Sequence, residues 1–282
     1  MGKVRVVTDS TAELSPEVAD RLGITVIPLN IHIGKERFLD GVDIHNEAFF
    51  SRLKRTDSLP FTTPPPLSVF EDTYRTVGKV TDDIVSIHIS AKLSDTVELA
   101  EQAANSLLGQ RRVAVIDSLS TSLGLGTLVT AAGEASQKGA PIDDVVRIVR
   151  AMIPHVYLVF FVESLEFLRR GGRIGEAEAL LGTMLSIKPL LIIEDGDILP
   201  LEKVRTRSNG IDKLFEFTAE FPSLENVTIL KGANAIDHTE LLERLRVIYP
   251  GMEIDVVTYG PLLATNLGPK AIGIFVYEGI SE

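Results

Sequence analysis

The chain has no cysteine among its 282 residues, which excludes disulfides, thiolate nucleophiles, cysteine-ligated zinc and iron–sulfur clusters together. Positive charge is also short. Lys and Arg number 28 against 39 Asp and Glu, a formal net charge of −11, whereas a nucleic-acid groove or an anionic membrane face needs a positive field. Neither nucleic acid nor stable membrane anchoring is therefore expected. The longest apolar run, Val156 to Val162, is too short to cross a bilayer. The N-terminus reaches Asp9 before a signal-peptide apolar region forms, and Val6 breaks the myristoylation pattern, so a cytoplasmic location is expected. Catalytic signatures are equally scarce. His32, His45, His88, His155 and His238 show no metal-ligand spacing, no Gly-x-Ser-x-Gly elbow exists, and no general base stands out.

What is present is an ordinary globular composition, 45% hydrophobic and 24% charged, long enough for about two domains of ~150 residues. In the first half, short β-branched runs alternate with helical patterns, the signal for βαβ units and a mainly parallel sheet. Strands are expected near Val4–Val7, Ile24–Ile33, Ile84–Ile89 and Val113–Ile116. Helices are expected over Pro16–Leu22, Asn46–Leu53, Leu67–Val77, Ser94–Leu108, Gly124–Lys138 and Ile142–Ile153. Pro154 marks a boundary, giving an N-terminal α/β domain over residues 1–154 and a C-terminal α+β domain over 155–282 with a mixed or antiparallel sheet. In the second half, a strand at Tyr157–Val162 precedes helices Leu165–Arg169 and Glu176–Leu185, then a hairpin of Leu190–Glu194 and Ile198–Val204 around Asp195-Gly196. Helices Ile211–Phe221 and Thr239–Ile248 and strands Ile254–Tyr259 and Ile272–Tyr277 complete it.

Five stretches carry candidate chemistry. Thr8-Asp9-Ser10-Thr11 follows a strand where parallel sheets line ligand crevices, although turn chemistry explains it equally well. Thr62-Thr63-Pro64-Pro65-Pro66 holds two hydroxyls on a stiff extended segment. Ser94-Asp95-Thr96 opens a helix after a strand, and free N–H groups there suit a carboxylate or phosphate, though capping alone accounts for Ser94. Asp117 to Ser122, before Gly124-Leu125-Gly126, lacks the third glycine of a dinucleotide fingerprint and reads as turn and capping chemistry. Arg169-Arg170-Gly171-Gly172-Arg173 is the compact basic cluster, either a solvated helix end or a contact for an anion or acidic partner.

At these residues the chain resembles the DegV family of bacterial fatty-acid-binding proteins, which includes the FakB subunits of fatty acid kinase. The likeness runs from Val7-Thr8-Asp9-Ser10-Thr11 through Thr62-Thr63-Pro64-Pro65, Leu93-Ser94-Asp95-Thr96, Ile116-Asp117-Ser118, Gly171-Gly172-Arg173 and Lys203-Val204-Arg205 to Leu267-Gly268-Pro269. The resemblance implies a non-enzymatic carrier of one long-chain, palmitate-like fatty acid held between two domains, with no other cofactor and no metal. By position, Thr62 and Ser94 bind the carboxylate, with Asp95, Thr96 and Asn266 beside it. Arg170 and Arg173 are the implied contacts for a separate kinase subunit that phosphorylates the bound acid. Three positions depart from the family pattern: Pro64 stands for Gln, Asp95 for Gly and Asn266 for His. From the residues alone, a small-anion phosphotransferase or hydrolase acting through Asp9, Ser94 and Asp117, or a ligand-sensing regulator, stays open.

Overall fold

The computed structural model describes residues 3–55, 58–183, 187–235 and 237–280. In chain order its strands and helices are β1 (Arg5–Asp9), α1 (Pro16–Leu22), β2 (Thr25–Ile27), β3 (Asn30–Ile33), β4 (Glu36–Leu39), α2 (Asn46–Leu53), β5 (Phe61–Thr63), α3 (Leu67–Val77), β6 (Asp83–His88), α4 (Thr96–Asn105), β7 (Arg112–Asp117), α5 (Ser122–Gln137) and α6 (Ile142–Met152). They continue as β8 (Val156–Phe161), α7 (Glu166–Arg170), β9 (Lys188–Glu194), β10 (Asp197–Val204), α8 (Arg207–Ala219), β11 (Asn226–Lys231), α9 (Thr239–Ile248), β12 (Asp255–Thr258), α10 (Pro261–Leu267) and β13 (Ile272–Tyr277).

The described chain forms two units. One holds the chain up to Ile31, Arg37–Asp43 and Thr62–Pro154; the other holds His32–Glu36, Ile44–Phe61 and the chain from His155 onward. In the first, a wholly parallel sheet runs in the order β2-β1-β6-β7. Helices α3 and α4 cover one face, where Val7, Ile27, Phe70, Tyr74, Val77, Ile84, Ala100, Ala103 and Leu107 make a core. Helix α6 shows why such helices form. Ile142, Val145, Val149 and Met152 recur at helical spacing and are buried, while Asp143 and Asp144 sit at the positive N-terminal end and Arg150 in the last turn. The expected parallel α/β unit is present.

The second unit carries a mixed sheet in the order β10-β9-β8-β13-β11-β12, antiparallel except for β11 with β12. The β9–β10 turn is Asp195-Gly196, with φ of 48° and 80°, as an Asp-Gly two-residue hairpin requires. Its core gathers Val159, Phe161, Leu190, Ile229, Leu241, Leu245, Ile272 and Ile274. A small sheet, β4-β3-β5, completes the strands described.

Several sequence expectations need correction. Ile24–Ile33 is two strands, β2 and β3, because Pro28 has no N–H for a ladder. The segment expected as helix Glu176–Leu185 is a 3-10 helix over Gly175–Thr183, with Met184 and Leu185 lying outside the described residues. Gly124 and Gly126 lie inside α5, within the helix expected over Gly124–Lys138, which begins two residues earlier at Ser122. A Cβ at Gly126 would sit 2.5 Å from Ala12 O, so the glycine lets α5 approach the loop that follows β1.

Candidate functional site

In the parallel sheet the chain moves from β1 outward to β2, then returns to β6 on the other side of β1. The strand order therefore reverses between β1 and β6, and in open α/β sheets ligands bind at the carboxyl ends of the strands flanking such a switch point. The loops in question begin at Ser10, after β1, and at Ile89, after β6.

The loop after β6 is a tight turn around Ser90. Leu93 N and Ser94 N donate to Ser90 O at 2.9 and 3.1 Å, Lys92 N donates to Ser90 Oγ at 3.2 Å, and Ser90 N donates to Ser120 O at 2.9 Å. It delivers Ser94 and Thr96, 8% and 0% exposed, to the start of α4, their hydroxyls 2.8 Å apart. One proton satisfies that pair, which leaves the second hydroxyl proton free to reach a third group. The first N–H groups of α4 have no intrahelical acceptor, so the same place carries main-chain donors and the positive end of the helix dipole. Asp95 is the N-cap residue, yet its side chain is exposed and makes no capping bond.

Thr62 is buried in the middle of β5 in the same unit. Its segment is held by the buried Asn30, whose Nδ2 donates to Pro64 O at 3.0 Å and Thr63 Oγ1 at 3.3 Å. The proline run ends as the N-cap of α3. Pro64 therefore offers its carbonyl as an anchor and has no N–H to donate.

Around the β1 loop the electrostatics are acidic. Ser10 Oγ accepts from Leu29 N at 3.1 Å. Asp40 is 8% exposed, and its carboxyl is pushed up to about 7 by burial, with Glu13 and Asp9 adding to the rise and a hydrogen bond with Ser10 opposing it. The two acids the sequence suggested for catalysis, Asp117 and Asp9, already have hydrogen-bond partners. Asp117 accepts from Leu119 N at 2.9 Å and Ala91 N at 3.2 Å. Asp9 is fully buried and accepts from Thr11 N, Thr11 Oγ1, Ile89 N and His88 Nδ1. Asp9 thus has its acceptor positions filled, while the half-buried Asp117 is held in place by two main-chain N–H groups.

The remaining candidates lie in the second unit. Asn266, in α10, donates from Nδ2 to Leu262 O at 2.9 Å, while its buried Oδ1 has no protein partner. A Cβ at Gly171 would lie 2.7 Å from that oxygen, and Arg173 donates to Gly171 O, so Asn266, Gly171 and Arg173 form one cluster. Arg170 is exposed and ion-paired to Glu166 at 2.6 Å.

One arrangement escaped the sequence reading. His88, which the sequence shows only to lack metal-ligand spacing, is fully buried between Asp9 and Ser86, which in turn meets Tyr74. The available signal was the i, i+2 pair Ser86 and His88 on one strand face, opposite an acid ending a neighbouring strand. Among the described residues no cluster of three His, Asp or Glu could hold a metal, and no helix is long and apolar enough to cross a membrane.

Comparison with known proteins gives the following. The model of a family described as "uncharacterised protein, DegV family" matches residues 3–279. A DegV domain-containing protein of Streptomyces coelicolor is 35% identical, over 97% of this chain and 98% of its own. Among solved structures, a DegV family protein from Thermus thermophilus described by its fatty acid binding is 30% identical with a TM-score of 0.86, covering 98% of this chain and 100% of that one. DegV from Bacillus subtilis, described as a fatty acid binding protein, is 28% identical with a TM-score of 0.87 and the same coverages.

Proposed function

The chain belongs to the DegV family, and we propose from the geometry of its switch point that it is a non-catalytic carrier of long-chain fatty acids, with Ser94 and Thr62 as donors to the carboxylate. The observation that carries this reading is the buried Ser94–Thr96 hydroxyl pair at the N-terminus of α4. A carboxylate taken out of water stays ionised only where several donors converge on it, and hydroxyls beside a helix N-terminus supply them. Thr96 orients Ser94, and position 95 contributes its main-chain N–H while its own carboxylate points to water. The fatty-acid binding described for the Thermus and Bacillus relatives supports the ligand class.

The tail contributes most of the affinity. At about 0.8 kcal/mol per buried CH₂, a palmitate-like chain gains on the order of 10 kcal/mol before ordering costs. A carrier has no need of a nucleophile, which agrees with Asp9 being buried with four donors on its carboxylate. In this reading a separate kinase subunit acts on the presented carboxylate, docking near Arg170, whose guanidinium would exchange Glu166 for an acidic partner. Arg173 and Asn266 are the further polar groups that the family resemblance assigns to partner and ligand.

Native and denaturing mass spectra of the purified protein test the proposal. An added mass matching a C16 or C18 acid, lost on denaturation, is expected, and Ser94→Ala is expected to lower its retention. A ligand-free mass that persists after incubation with palmitate overturns the carrier reading.

A further inference from the structure

Four fully buried side chains between β1, α3 and β6 make a hydrogen-bonded chain with one direction. Tyr74 OH donates to Ser86 Oγ at 2.8 Å, Ser86 Oγ lies 2.7 Å from His88 Nε2, and His88 Nδ1 lies 3.0 Å from Asp9 Oδ2. Tyr74 gives its only proton to Ser86, so the network is satisfied when Ser86 gives its own to Nε2. The ring is then the neutral tautomer, donating from Nδ1 to Asp9. The edge of the ring is fixed from a second side by Phe70, whose centroid lies 5.6 Å away in a T-shaped contact. This is a serine, a histidine and an aspartate in triad order. The serine, however, has no exposure and both its neighbours occupied, so it cannot act as a nucleophile.

The free ends of Asp9 show what the arrangement does instead. Oδ1 accepts from Thr11 N at 3.0 Å and from Thr11 Oγ1, in the loop after β1, while Oδ2 accepts from Ile89 N at 3.0 Å, where the chain leaves β6 for the Ser90 turn. One carboxylate thus fixes the main chain of both loops that flank the switch point, and Ile89 is five residues before Ser94.

We infer that Asp9 is a positioning residue for the head-group site: with His88 fixing its orientation, it sets the exit of β6 and thereby the place of Ser94. This rests on the carrier reading above, and it adds a residue that touches no ligand. A role limited to satisfying buried polar groups predicts lost stability alone; positioning predicts energetic coupling to Ser94.

Asp9→Asn keeps shape and volume but retains one acceptor oxygen, so it cannot serve both Thr11 and Ile89. Titration of the full-length protein with palmitate is expected to show about tenfold weaker binding for Asp9→Asn. The double variant Asp9→Asn/Ser94→Ala is expected to bind no more weakly than Ser94→Ala alone, since Asp9 acts through Ser94. His88→Ala should weaken binding, and His88→Asn, whose amide reproduces the Nδ1 donor, should restore most of it. Hydrogen exchange at residues 89–94, read without ligand, should quicken in Asp9→Asn.

Unchanged exchange over 89–94, or additive losses in the double variant, overturns the positioning role. If the wild-type protein takes up no palmitate, the carrier reading fails, and the exchange experiment still decides whether Asp9 orders the loop. Should Asp9→Asn fail to fold, the His88→Ala and His88→Asn pair carries the same test.

Discussion

The two units bury very different material. Most buried polar side chains among the described residues belong to the first unit, from Thr8 and Asp9 through Ser94 and Thr96 to Ser136, while the second buries chiefly Thr218, Thr228, Thr265 and the hydroxyl of Tyr259. The second unit has a conventional dry core of Val, Ile, Leu and Phe. Burying hydroxyls and carboxylates stabilises nothing by itself, because each lost hydration shell must be replaced by a partner. A unit that does so around its strand ends is organised to meet a polar ligand there; a unit that does not is organised to pack. Under the proposed function, recognition falls to the first unit and the second serves mainly to pack, and each can be attacked separately.

The largest effect is expected in the dry core. Phe161 has no exposure, and its ring lies so close to α8 that a Cβ at Gly210 would meet it at 2.5 Å. Phe161→Ala should cost about 3–5 kcal/mol by urea denaturation. A loss below about 1 kcal/mol would mean that the second unit does not carry its stability in this core.

In the first unit the corresponding weak point is a carboxyl. Asp40 titrates at about 7 when folded against an ordinary value of 3.8, so the native state binds its proton more tightly than the unfolded state. Its contribution to stability is present below the unfolded value and is lost as pH rises toward the folded one, a difference of up to about 4 kcal/mol at 1.36 kcal/mol per unit. Asp40→Asn, neutral at every pH, should therefore match the wild-type protein near pH 4 and exceed it by a few kcal/mol at pH 8. Parallel urea curves at the two pH values check this. A constant difference between the proteins would show that Asp40 is ionised in the fold and that its neighbours supply donors as Asp9's do.

Much of this contrast was legible in the amino-acid order, and some was not. Helices α1, α2, α3 and α9 and strand β13 agree with the sequence reading at both ends, because prolines, caps and apolar spacing are local signals. Strand β4, Glu36–Leu39, has no alternating pattern and exists through its pairing with β3, and the short helix α10 was likewise unread. In the site, Ser94 and Thr96 stood out as hydroxyls opening a helix after a strand. The His88–Asp9 contact did not, since it joins residues 79 apart and depends on β1 lying parallel to β6 with Thr8 beside Ile87. No spacing rule within one segment reports a partner chosen by strand order.

A smaller effect, confined to recognition, is expected at Ser94. Ser94→Ala removes one hydroxyl from a buried pair, worth about 1–1.5 kcal/mol, so palmitate should dissociate about tenfold faster while the urea midpoint moves little. A large stability loss with unchanged retention would reverse the assignment, making the first unit's buried hydroxyls a packing device like the other core.

The smallest effect is expected at Asp95. A carboxylate at position 95 stands at the opening of α4, where a second anion is proposed to bind, and like charges in a dry site would oppose binding strongly. The side chain is exposed, though, and accepts no capping bond, so its field is screened by water and salt. Asp95→Gly should then tighten palmitate binding by less than about threefold, with the gain vanishing at high ionic strength. A tenfold gain that persists in high salt would place the carboxylate against the head group, and position 95 would become a determinant of which ligand this chain accepts.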